Sequence, residues 1–152
     1  MSQNEYGFPN VSGGTPIVII NTVITTAISG VVFGLTTGLY SMKSLNVVGA
    51  LTYGSGGTTI KAWIQTSLDG GLTWFDVANM AFTTASASKI VGISAYAGTV
   101  LASSAVGVGT DAGLADNTVI QGVLGDRFRM KLTTTGTYAG NTILNMSAMV
   151  KG

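Results

Sequence analysis

The chain has 152 residues, which is enough for one domain with a core of its own. It contains no cysteine and no histidine, which excludes disulfides, thiolate metal sites and the commonest general base. Only 9% of the residues are charged, against about 25% in an ordinary domain, and the formal net charge is +1. Because a free monomer needs surface charge to stay soluble, so little charge indicates a surface that partner proteins cover.

The remaining composition predicts an all-β fold. The chain holds 22 Gly and only two Pro, and it is rich in Thr, Val and Ile. β-branched residues suit pleated strands, and Gly supplies the turns between them. Glu5 is the sole glutamate, and no segment spaces Leu, Glu and Lys as a helix would.

The first predicted element is an extended N-terminal arm, residues 1–16, which is polar and without periodicity and carries Tyr6 and Phe8. Residues 17–152 are predicted to form a single β-sandwich domain. Its first segment, residues 17–35, is uncharged and long enough to span a membrane. The segment is rich in β-branched residues, contains Thr and Asn, and has no basic residues beside it. These features favour a buried strand pair instead.

About eight strands are expected, at a spacing typical of a sandwich or barrel. A jelly-roll-like β-sandwich is the leading topology and an immunoglobulin-like sandwich the next. Residues 97–113, rich in Gly, Ala and Ser, remain unassigned. The predicted strands are Ile17–Ile28 with Val31–Thr36 (one bent strand or two), Met42–Tyr53, Thr58–Ser67, Leu72–Phe82, Lys89–Tyr96, Ala115–Val123, Arg127–Thr134 and Thr142–Lys151.

The sharpest local motif joins two of these strands, and its pattern is S-x-D-x-G-x-T-W. It resembles the Asp-box of sialidases, which implies a structural hairpin away from any catalytic site. A sugar-binding role remains the alternative. Its members here are Ser67, Asp69, Gly71, Thr73 and Trp74.

Aromatic residues gather around the same hairpin, and they are Tyr53, Trp63, Trp74, Phe75 and Phe82. Core packing is the expected role of these rings. An exposed platform for carbohydrate stacking, or an anchor in an interface, is the alternative.

The predicted strand that begins at Arg127 alternates basic and apolar residues. Phe128, Met130 and Leu132 would face the core, and Arg127, Arg129 and Lys131 would form a basic ladder on the other side. The ladder is either a solvated face or a contact with an acidic partner surface. With a net charge of +1, specific nucleic-acid binding is not expected.

Candidate catalytic groups are few, and we expect no enzyme activity, no cofactor and no metal site. Asp69 belongs to the turn, and Asp76 is predicted to be a single exposed carboxylate. Asp111 and Asp116, with Asn117, offer a loose set of oxygen ligands for Ca²⁺, but their spacing matches no known loop. Serine has no histidine partner, and no phosphate-binding loop occurs.

Residues 39–152 as a whole resemble small β-rich virion proteins of tailed phages and prophages. The segments that carry the resemblance are residues 59–78 (TIKAWIQTSLDGGLTWFDVA), 115–117 (ADN), 124–129 (LGDRFR) and 135–140 (TGTYAG). The resemblance implies a capsid decoration or cement protein of the phage head, made in the host cytoplasm and located on the virion surface. Its partners would be the major capsid protein and further copies of itself, as a dimer or trimer, with no membrane involved.

Within this hypothesis, Arg127, Arg129, Lys131, Tyr6 and Phe8 are the candidate contacts with the shell. A phage tail or baseplate protein is the alternative within virions. A carbohydrate-binding β-sandwich module is the alternative from another class.

Overall fold

The computed structural model describes residues 16–96 and 109–152. The predicted arm, with Tyr6 and Phe8, lies outside the described residues except for Pro16. Residues 97–108 of the unassigned stretch also lie outside them. The described part contains strands, turns and no helix, as the composition predicts.

Ten strands occur in the described residues, and two of them, β4 and β9, are only two residues long. Their bounds are β1 Ile17–Val23, β2 Ile28–Thr36, β3 Ser44–Thr52, β4 Ser55–Gly56, β5 Thr59–Thr66, β6 Phe75–Phe82, β7 Ala87–Ser94, β8 Phe128–Thr135, β9 Tyr138–Ala139 and β10 Ile143–Lys151.

The eight long strands form two four-stranded antiparallel sheets. Sheet I has the order β1-β10-β3-β7, and sheet II has the order β2-β8-β5-β6. In chain order the first long strand pairs with the last, the second with the seventh, the third with the sixth and the fourth with the fifth. These nested pairs, shared between two packed sheets, are those of a jelly roll, so the predicted fold is confirmed.

The core lies between the inner faces of the two sheets. Strand β8 shows the alternation clearly, since Phe128, Met130 and Leu132 are each fully buried there. β10 alternates in the same way and buries Leu144 and Met146. Burying a side chain of this size contributes about 1.5–3 kcal/mol, which makes these inward rows the main source of stability.

The uncharged segment 17–35 forms β1 and β2, and the prediction of a buried strand pair is wrong for it. β1 is the edge strand of sheet I and β2 the edge strand of sheet II, so neither pairs with the other. Val18, Val31 and Leu35 are exposed. Both strands still contribute apolar side chains to the core, among them Ile19 on β1 and Phe33 on β2. In the described part of the chain, no helix has the length and apolarity needed to cross a membrane.

The predicted strand Ala115–Val123 is also absent. This stretch follows the outside of β6 and makes one isolated bridge, between Val119 and Ala78. Asn117 has a positive φ of 55° and uses its side-chain oxygen to accept a hydrogen bond from the Ala81 amide. Side-chain bonds of this kind compete with a regular strand ladder.

Both ends of the described chain lie at the same end of sheet I. Ile17, the first residue of β1, is opposite Ala148 on β10. Lys151, the last residue of β10, is opposite Ser44 at the start of β3.

Candidate functional site: two contrasting outer faces

The turn between β5 and β6 is held by the side chains of its own motif. Asp69 accepts hydrogen bonds from the Thr73 amide (2.8 Å) and the Thr73 hydroxyl, and also from the Ser67 hydroxyl (2.9 Å). Ser67 in turn accepts a bond from the Gly71 amide at 2.8 Å. Trp74 donates its indole N–H to the Gly71 carbonyl at 3.1 Å. The polar side chains of the motif are thus all used within the turn, as in a structural hairpin.

This arrangement explains why the Asp69 carboxyl is an unusually strong acid. Hydrogen bonds from Thr73, above all from its hydroxyl, lower the pKa of Asp69 from the usual 3.8 to about 2. Bonds that favour the ionised form always shift a carboxyl in this direction. The side chain stays charged at neutral pH and acts as an acceptor only.

The basic ladder lies on the outer face of sheet II, and each member has an internal partner. Arg127 bonds both oxygens of the Asp126 carboxylate (Nε–Oδ1 3.0 Å, Nη2–Oδ2 2.9 Å), and it donates from Nη1 to the carbonyl of Gly70 at 2.7 Å. Lys131 contacts Asp111 at 2.9 Å, and its side chain is only 23% exposed. The Arg127 guanidinium lowers the pKa of Asp126, as the bonds from Gln65 and Lys131 do for Asp111.

Arg129 is the central member, and its partners are an amide and an aromatic ring. Its Nε donates to the Gln65 side-chain oxygen at 2.8 Å, and its guanidinium stacks 4.3 Å from the ring centre of Trp74. Partial burial lowers the pKa of this Arg, against the opposing effect of Asp111. The predicted role of the three ladder residues as contacts with a shell stays a prediction, but much of their hydrogen-bonding capacity is used inside the fold.

Residues 109–117, called here the covering loop, lie over the β5 and β6 part of the outer face of sheet II, and Asp76 is the anchor of this loop. Asp76 is only 2% exposed, so the prediction of an exposed carboxylate is wrong. Its oxygens accept hydrogen bonds from five donors on β5 and the covering loop. These donors are Gln65 Nε2 (2.8 Å), Thr110 Oγ1 (2.9 Å) and the amides of Ala112 (3.0 Å), Gly113 (2.8 Å) and Leu114 (3.0 Å).

The covering loop also contacts sheet II through two further acidic residues, and it covers one tryptophan. Asp116 pairs with Lys61 at 2.9 Å, while Asp111 contacts Gln65 at 2.7 Å. Within residues 16–96 and 109–152, no three potential metal ligands come together. Trp63 is 7% exposed and donates to the Leu114 carbonyl at 3.1 Å, so it lies beneath the loop.

The outer face of sheet I has the opposite character. Across its middle, one row of side chains crosses all four strands, and it consists of Val18, Ser147, Val48 and Ile90. Val18 is 62% exposed, Val48 45% and Ile90 83%. The neighbouring outward rows bring Asn46, Gly92 and Met149 on one side and Ala50, Ser88 and Asn145 on the other.

We call this surface the uncharged face. It consists of the row that runs from Val18 across the sheet to Ile90 and of the two outward rows on either side of it. Among the described residues, one charged side chain, Lys151, points outward from sheet I. It lies at the last position of β10, beyond the rows that define the face. A shallow depression lies on the face, lined by Pro16, Asn46, Val48, Ile90, Gly92 and Met149 among others. Sequence reasoning missed this surface because it requires the pairing of four strands that are distant along the chain.

Comparison with known proteins gives no relative. No protein-family model matches the chain, and neither does any curated protein or solved structure. The resemblance to phage virion proteins therefore stays a prediction from the sequence.

Proposed function

We propose that this chain is a structural protein without enzymatic activity that binds protein surfaces in a large assembly. The specific form of the proposal is a decoration or cement protein on the capsid shell of a tailed phage. The observation that carries the assembly role is the uncharged face. A four-stranded sheet with exposed Val18, Val48 and Ile90 and no charge across its middle is the kind of surface that proteins bury in contacts.

The distribution of charge supports the same conclusion. Six Asp or Glu and seven Lys or Arg occur in the whole chain. In the described part, Asp69, Asp76 and Asp126 are held by hydrogen bonds within the fold. These three carboxylates thus stabilise the fold itself. A total of 13 charged residues in 152 leaves the surface with little of the dispersed charge that keeps a monomer apart from other proteins.

The carbohydrate-binding alternative receives less support from the aromatic residues. A sugar platform needs an open aromatic face. Trp63 is covered by the loop, and the ring of Trp74 is stacked by Arg129. Both rings have packing roles that account for their presence.

The test is the copy number of this chain in purified particles of its phage or induced prophage, measured by quantitative mass spectrometry against the major shell protein. A ratio of about one is the expected result for a protein that covers the shell. A ratio of a few per cent would favour the tail or baseplate alternative. Absence from clean particles would refute the virion proposal.

The proposed contribution of the arm is tested separately. Deleting residues 2–14 is expected to reduce occupancy on the particles, because the arm would add contact area outside the sandwich. The melting temperature should stay the same, since the deletion leaves in place all the strands of the described residues 16–96 and 109–152. Unchanged occupancy would reject the role of the arm.

A further inference from the structure

We infer that the uncharged face is where two copies of this chain bind each other, as a symmetric dimer that stacks sheet I on sheet I. The inference rests on the proposed assembly function and names the partner of that surface. Three properties of the face point to a second copy: its shape, its charge and its area.

The shape of the face is complementary to itself. Ile90 projects from β7 and is 83% exposed, which makes it a knob. Beside it, the depression lies over Gly92, which has no side chain, and is bordered by Asn46 and Met149. A two-fold axis brings the knob of each copy to the depression of the other, because in such an interface each contact occurs twice.

The charge of the face permits this contact. Two identical surfaces that carry charge repel each other when they meet, and the repulsion must be relieved by exact pairing across the axis. The middle rows of the uncharged face hold Val, Ile, Ala, Gly, Ser, Asn and Met, so two copies approach without that penalty. The outer face of sheet II is different, because the covering loop and its ion pairs occupy it.

The area of the face is sufficient for a dimer. Four strands about 4.8 Å apart and about 30 Å long give a surface on the order of 550 Å². Two such faces bury about 1,100 Å² in total, just above the ~1,000 Å² that a specific interface needs. Sheets pack face to face about 10 Å apart in every β-sandwich, so the stacked arrangement is a normal one.

The test is sedimentation equilibrium of the full chain over a range of concentrations, with variants of the knob and of the depression. The wild-type protein is expected to form dimers. Ile90→Lys replaces the apolar knob with a charged side chain, and Gly92→Val fills the depression while keeping a strand-forming residue. Each is expected to raise the dimer dissociation constant at least tenfold. The matched control is Leu72→Lys, because Leu72 is 86% exposed in the turn between β5 and β6, outside sheet I.

A second measurement identifies the contact directly. The chain has no cysteine, so cysteines introduced at chosen positions are the only thiols that can be cross-linked. An Ile90→Cys chain mixed with a Met149→Cys chain should form a mixed species with a short bismaleimide cross-linker. An Ile90→Cys chain mixed with a Leu72→Cys chain should not.

Several results would overturn the inference. A wild-type chain that stays monomeric up to about 1 mM does not use the face for dimers, since 1 mM corresponds to very weak binding. Dimers that persist in both Ile90→Lys and Gly92→Val are formed by another surface. If the chain dimerises only after residues 2–14 are deleted, the arm that enters sheet I at Pro16 occupies the face instead.

These outcomes are separable from the fate of the proposed function. A monomeric chain that still covers particles refutes the dimer and leaves the shell-binding role in place. A dimer that depends on Ile90 but is absent from particles refutes the virion role and leaves the interface in place.

Discussion

Replacing Asp76 with Asn is expected to release the covering loop from sheet II. The change keeps the size of the side chain and converts one of its two oxygens into a donor. Oδ1 accepts from Gln65 and the Ala112 amide, and Oδ2 accepts from Thr110 and from the amides of the next two loop residues after Ala112. Whichever oxygen is replaced, at least two donors lose their acceptor and face an N–H group.

The size of the effect follows from the burial of these groups. Asp76 is 2% exposed, and each buried donor left without a partner costs about 1–3 kcal/mol. The Asp76→Asn variant should therefore be less stable by about 3 kcal/mol. For a chain of this length, that loss lowers the melting temperature by roughly 6–12 °C.

The measurement is unfolding in urea, monitored at the same time by circular dichroism and by tryptophan fluorescence. The two signals report different events, because Trp63 bonds the loop at the Leu114 carbonyl, while the strands give the circular dichroism. If the loop opens before the sandwich unfolds, the Trp63 signal should change at lower urea than the strand signal.

The matched control is Asp116→Asn, which makes the same chemical change in a side chain that is 49% exposed. Its ion pair with Lys61 lies at the surface, where such pairs contribute about 0–1 kcal/mol. Equal midpoints for Asp76→Asn and Asp116→Asn would refute the view that Asp76 anchors the loop.

The remaining predictions concern the hairpin turn, a close backbone contact and the stacked Arg. The pKa of Asp69 is depressed, so its stabilising effect is present above its usual value of 3.8 and is lost as the pH falls through about 2. In acid titrations, the free energy of unfolding should fall between these two values for the wild type and fall less for Asp69→Asn. Identical curves would contradict this. Gly125→Ala places a Cβ about 1.8 Å from the Ser67 carbonyl oxygen and should lower stability by about 1–3 kcal/mol. The comparison is Gly92→Ala, where the new Cβ meets only the Asn46 side-chain oxygen, at 3.0 Å. Arg129→Lys should cost about 1 kcal/mol through lost stacking and change the fluorescence of Trp74; an unaltered spectrum would argue against the contact.

Much of the fold was predictable because it depends on local patterns. The alternation of Phe128, Met130 and Leu132 fixes which side of β8 is buried, and turn residues fix where β5 ends. The count and spacing of strands then favoured the jelly roll. The predicted strand Ala115–Val123 failed because side chains take over its bonding to β6. Asn117 accepts a hydrogen bond from the Ala81 amide through its side-chain oxygen, and Asp116 accepts one from the Asn79 side chain.

The site was less predictable because its contacts join distant parts of the chain. The donors to Asp76 on the covering loop lie 34 to 38 positions away, so no window of sequence around Asp76 contains them. The uncharged face is similar. Sparse charge was visible in the composition, but its absence from the middle rows of the outer face of sheet I follows only from the pairing of β1 with β10 and of β3 with β7.

The start of β1 and the end of β10 lie at the same end of sheet I, which has a practical consequence for engineering. Since Ile17 is opposite Ala148 and Lys151 is opposite Ser44, a short linker from the end of β10 to the start of β1 could close the chain into a ring. Opening that ring between β6 and β7, at residues 83–85, would move the new termini to the opposite end of the sandwich. A cargo protein fused after β10 and one fused to such a circular permutant would then be displayed in opposite directions.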